Sequence, residues 1–140
     1  MFNISVPEVE YSGFEGLFEG HDEPYNMIDG NDTTFLWLIG VANDGAYVQL
    51  TYDEVMTAKE FRIVFFNGNT GDDPLYYECY LSDLEVSLDG EKWVTIESGN
   101  DDNLINVVLD EEVSFKYLRL KNNSGSIIDR WPAIATVEFK

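Results

Sequence analysis

The chain has 140 residues, enough for one domain with its own core, and its 44% hydrophobic and 25% charged residues match a folded globular domain, not a disordered tail or a coiled coil. Twenty-seven Asp and Glu stand against 8 Lys and Arg, a net charge of −19; such a surface repels nucleic-acid backbones, anionic lipid and sulfated or uronate polymers, and leaves neutral ligands and cations such as calcium open. No apolar run approaches the roughly 20 residues of a membrane-spanning helix.

The opening Met1-Phe2-Asn3 lacks the basic-then-apolar pattern of an export signal, so a cytosolic start or a boundary cut within a longer protein is expected. His21 and Cys79 are each alone. There is no disulfide framework and no thiolate cage, no signature of a Cys–His dyad surrounds either residue, and Cys79 beside Tyr80 reads as a small buried hydrophobe. The first informative stretch is Met27 to Trp37, where Asp29-x-Asn31-x-x-Thr34 makes a tight polar loop. Two readings are open: hard oxygens wrapped on a calcium ion, or an Asx-turn in which Asp29 and Asn31 satisfy their own backbone.

Beyond it the periodicity is that of strands. Tyr47 to Tyr52 alternates with Val48, Leu50 and Tyr52 on one face. Asp53 to Ala58 offers at most a turn or so of helix, and Glu60 to Phe66 turns apolar on both faces, as a central strand does. Leu84 to Leu88 and Lys92 to Ile96 flank Asp89-Gly90, which predicts a hairpin with a type I′ turn and places Trp93 in the core. Leu104 to Leu109, Phe115 to Leu120 and Ile134 to Phe139 complete the strands, separated by Gly/Asn/Asp/Ser clusters at 67–73, 98–102 and 122–126. Many short strands, no linker and no repeat predict a single all-β domain over residues 1–140, a sandwich or barrel.

Six collinear segments carry a family resemblance. Ile28-Asp29-Gly30-Asn31-Asp32-Thr33-Thr34-Phe35-Leu36-Trp37 resembles the opening of the discoidin-like (factor V/VIII C-type) domains, and most of all their bacterial branch, the carbohydrate-binding modules of family 32. Gly45 to Leu50, Val55 to Ile63, the Leu84 to Trp93 hairpin, Phe115 to Leu120 and Trp131 to Ile134 are similar to the segments that follow in that family, in the same order. The resemblance implies an eight-stranded jelly-roll β-sandwich of the galactose-binding type with ligand loops at one end. It also implies a structural calcium. Asn26 and Asn31 would offer backbone oxygens, Asp29 its carboxylate, and Thr34 its backbone and hydroxyl oxygens. On the last strand Thr136 stands where the family carries a Glu, which removes a charged ligand and leaves water, sodium or an empty loop as alternatives.

For a sugar, ring planes should stack on the pyranose face and planar polar groups should fork onto hydroxyls. The loops that gather in this fold offer Trp37, then Asn67, Asn69, Asp72, Tyr76 and Tyr77, then Asn122, Asn123, Arg130 and Trp131. Trp37 reads equally as platform or as packing, Trp131 reads more as packing, and Arg130 serves either vicinal hydroxyls or a neighbouring Asp. The function implied is a non-catalytic module that binds a neutral terminal galactose or N-acetylhexosamine and tethers a secreted bacterial glycosidase to glycans outside the cell, as a monomer excised here from a larger protein. A protein-interaction or spacer domain on the same fold is the alternative. A two-carboxylate glycosidase is disfavoured, because a small jelly roll offers little cleft.

Overall fold

The structure, a computed structural model, describes residues 6–40, 45–66, 82–100, 104–122 and 132–140. Its strands are β1 (Glu8–Ser12), β2 (Gly16–Leu17), β3 (Leu36–Ile39), β4 (Tyr47–Phe65), β5 (Ser82–Ser87), β6 (Val94–Asn100), β7 (Leu104–Asn122) and β8 (Ala133–Phe139), with one 3₁₀ turn at Pro24–Met27. All neighbours are antiparallel, in the order β2-β3-β8-β4-β7-β5-β6, and β1 pairs with β4. This is the eight-stranded all-β jelly-roll architecture expected.

Two long strands make the layers. The first part of β4 (Tyr47–Thr51) pairs with Tyr117–Lys121 of β7 and with β1, while its second part (Glu60–Val64) pairs with Leu104–Val108 and with β8. The segment expected as a helical turn, 53–58, is instead part of β4, with 53–55 unpaired to β7 and 56–58 paired with Val113–Phe115. Register slips between Thr51 and Met56, and Asp53, Glu54 and Val55 point to water. Two adjacent carboxylates cannot enter the core, so the strand bulges outward there and resumes pairing at Met56. Between the layers lie Val48, Leu50, Leu84, Leu118 and Leu120 from one side and Leu36, Leu38, Phe61, Ile63, Phe65, Ile105 and Ile134 from the other. Beside the bulge, Tyr52, Phe115 and Phe139 pack edge to face.

The hairpin differs from expectation in two respects. Residues 88–93 join β5 to β6, Gly90 alone has positive φ (+78°), and Asp89 does not, so the turn is not type I′. Asp89 Oδ1 instead accepts the N–H groups of Glu91 and Lys92, both at 2.9 Å, which holds its carboxyl below the usual range. Trp93 is half-buried and not in the core. It lies on the outer face, where the Arg119 guanidinium sits 4.0 Å from both the Trp93 and Tyr47 ring centres. Arg119 also donates to Gln49 Oε1 at 2.7 Å, and the longer loop carries the indole out over this cation.

Candidate functional site

The Asp29–Thr34 turn follows the 3₁₀ turn and leads into β3. Short polar side chains shape it locally: Asp29 Oδ1 accepts the Asn31 N–H at 3.0 Å, and Asn31 Oδ1 accepts the Thr33 N–H at 2.9 Å. The Asx-turns read from sequence are present, and the Thr34 hydroxyl lies among three of the other oxygens named for a cation. Thr34 Oγ1 contacts Asp29 Oδ2, lies 3.1 Å from Asn31 O and 3.4 Å from Asn26 O. One hydroxyl proton serves only one of these three acceptors, so the group is rich in lone pairs and poor in protons. An oxygen-only set with one carboxylate suits a hard cation such as calcium. Among the described residues no three His, Cys, Asp or Glu side chains converge on a point, so charge here would come from Asp29 alone.

Thr136 is close to this turn but faces another partner. Its buried hydroxyl donates to Asp32 Oδ1 at 2.5 Å. Arg62 of β4 donates to Asp32 Oδ2 at 2.7 Å and reaches Glu138 at 3.3 Å. The Arg62 guanidinium, then the Thr136 hydroxyl, hold the Asp32 carboxyl below the usual carboxylate range.

Next to the turn is a cluster of five rings. Phe35 follows Thr34 and is stacked between His21 (4.2 Å between ring centres, 5° between planes) and Phe66 (4.2 Å, 17°). Trp37 meets Phe35 and His21 edge-on at 5.9 and 5.8 Å and packs on Phe18 at 4.6 Å. Strand alternation sends Leu36 and Leu38 into the core and leaves Trp37 half-buried on the opposite face. The backbone ties these pieces together: Phe18 N–H donates to Trp37 O, Trp37 N–H to His21 O, Leu38 N–H to Pro132 O and Phe66 N–H to Ala133 O. Phe18, 37% exposed, carries the most accessible ring of the five. Residues 1–58 contain no Lys or Arg, and Glu15, Glu19, Asp22 and Glu23 are exposed around these rings, so this rim is acidic.

Of the sugar candidates, Trp37 belongs to this cluster, which gives it packing contacts and partial access at once. Asn122 is fully buried. Asn67, Asn69, Asp72, Tyr76, Tyr77, Asn123, Arg130 and Trp131 lie outside the described residues, as does Cys79. Sequence reading gave Phe18, Phe35 and Phe66 no place in a site and weighed His21 only for a Cys–His dyad. The signal available was the position of Phe66 immediately before Asn67, and a His and a Phe on either side of the polar turn. Each alone reads as ordinary packing.

Residues 10–137 match the model of the F5/8 type C domain family. No curated protein is similar to the chain at a significant level. Among solved structures, a pectin-binding carbohydrate-binding module is 22% identical over 99% of this chain and 92% of its own, with a TM-score of 0.64. The CBM32 of AlyQ, in complex with 4,5-unsaturated mannuronic acid, is 20% identical over 100% and 98%, at 0.63. Chitosan-binding module 2 of a Paenibacillus sp. IK-5 chitosanase/glucanase, in complex with chitotriose, is 14% identical over 98% of each chain, at 0.68. These likenesses show the fold.

Proposed function

The chain belongs to the F5/8 type C domain family, and on that premise we propose that it is a non-catalytic carbohydrate-binding module. Its ligand is a neutral terminal sugar of the galactose or N-acetylhexosamine type, and its role is to hold an attached secreted bacterial glycoside hydrolase on glycans outside the cell. The observation that carries this reading is the His21–Phe35–Phe66–Trp37–Phe18 cluster beside the polar turn, with Phe18 exposed. The exposed Phe18 ring would offer an apolar surface to a pyranose, and the Asn, Tyr and Arg residues of 67–81 and 123–131 would supply directional polar contacts. That solved relatives of the same fold are carbohydrate-binding modules is in keeping with it. The charge of −19 favours an uncharged saccharide over a uronate or a sialate.

Calcium in this reading is structural. Asn26, Asp29, Asn31 and Thr34 would hold it and thereby brace the turn that leads into Phe35 and Trp37. His21, stacked flat on Phe35, is taken up in packing, which supports a binding role over a catalytic one. The test is a glycan array with the monomeric domain, with and without chelator. Binding to terminal galactose or N-acetylhexosamine that fades in Phe18→Ala is expected. No glycan bound in either condition would turn the reading to a spacer or protein-interaction domain.

A further inference from the structure

We infer that a clamp of Arg62, Asp32 and Thr136 holds the 29–34 turn in shape without a cation, taking over the part that a second carboxylate on the final strand would play. The inference goes beyond the cation reading above and stands apart from it: calcium can bind the Thr34 oxygens or not.

The turn carries two carboxylates that look in different directions. Asp29 serves the turn itself, through Asn31 N–H and Thr34 Oγ1. Asp32 gives both of its oxygens to the sheet, one to Arg62 at 2.7 Å and the other to Thr136 at 2.5 Å. The sheet side of the clamp is rigid. Arg62 and Glu138 are opposite each other in the β4–β8 ladder, Thr136 is two residues from Glu138 on the same face, and Thr136 is 1% exposed beside fully buried Ile134 and Ala135.

Charge explains why a threonine fits at 136. One guanidinium already faces two carboxylates, Asp32 and Glu138. A Glu at 136 would make three carboxylates against one cation, an excess of negative charge beside Asp32 and Glu138. A hydroxyl adds no charge and supplies a proton to Asp32. The positive charge that pins the turn is therefore built into the chain at Arg62, a positioning residue for the rim.

Amide hydrogen exchange in chelator tests this, read at Asn31, Thr33 and Thr34, whose N–H groups are all bonded within the turn. The wild-type amides are expected to stay protected. In Arg62→Gln they should exchange about tenfold faster or more, Arg62→Lys should recover part of the protection, and Val86 in β5, distant from the clamp, should be unchanged. Should Arg62→Gln fail to fold, Asp32→Asn makes the same cut from the exposed side. Loss of protection in wild type on chelation alone would overturn the inference, and so would wild-type protection in Arg62→Gln. Calorimetric titration with calcium separates the two readings: no heat of binding removes the cation and leaves the clamp standing.

Discussion

Replacing Tyr52 by Phe is expected to stabilise the domain. The Tyr52 side chain is 2% exposed, edge-on to Phe139 at 5.5 Å and to Phe115 at 6.2 Å, and its hydroxyl has no hydrogen-bond partner among the described residues. An unpaired buried hydroxyl costs about 1–3 kcal/mol of desolvation. Removing it keeps the ring contacts, so a net gain of about 1 kcal/mol, or about 3 °C in Tm, is expected after the lost packing of one oxygen. The same burial pushes the phenol pKa well above its ordinary value, because the anion cannot be solvated there. The sign follows from proton counting. Above about pH 10 the unfolded chain releases a proton that the folded chain keeps, so Tyr52 makes stability fall by about 1.4 kcal/mol per pH unit. Below that pH both states hold the proton and the slope vanishes. Urea melts of both proteins at neutral pH and at about pH 11 would read the effect. The Phe variant should lead by about 1 kcal/mol at neutral pH and by about 2.5 kcal/mol at the alkaline point. A Phe variant less stable than wild type at neutral pH, or a gap that does not widen with pH, would refute the reasoning.

Gly13→Ala should destabilise by about 2 kcal/mol or more in denaturant melts, since φ is +88° and a Cβ would stand 2.7 Å from Ala46 Cβ. Unchanged stability would show that β1 can shift away from the 45–46 backbone. Phe18→Ala should weaken glycan binding by about tenfold while changing stability by less than about 1 kcal/mol, because that ring is partly open to solvent. Trp37→Ala should lose both, as it removes contacts with Phe18, Phe35 and His21. Equal affinity in all three proteins would remove the ring cluster from the binding site. Affinity for the uncharged glycan should change by less than about twofold between about 50 and 500 mM salt, as there is no ion pair to screen; a steep salt dependence would point to a charged ligand.

What could be read from sequence here was local. Tyr47–Tyr52, Leu84–Leu88 and Ile134–Phe139 announce strands because alternation at period two is a property of neighbours along the chain. The Asx-turns of Asp29 and Asn31 could be named beforehand because that chemistry acts over two or three residues, whereas Asn26 entered only through the family resemblance. Reading failed at Asp53–Val55 and at Trp93, where the outcome depended on a partner strand. The fate of the 53–58 segment was decided by pairing with β7, which takes in Met56–Ala58 and leaves 53–55 as a bulge, and that of Trp93 by Arg119 of β7.

The sequence alone thus determined the all-β architecture, the acidic surface and the chemistry of the polar turn, since each follows from residues within one strand or one turn. Only the tertiary structure decided that Asp32 meets Arg62, 30 residues away, and Thr136, 104 residues away, and that Phe18, His21, Phe35, Phe66 and Trp37 share one rim. Those contacts arise where β3, β4 and β8 come side by side, and strand order is a consequence of how the whole core is buried, which no short stretch of the chain encodes.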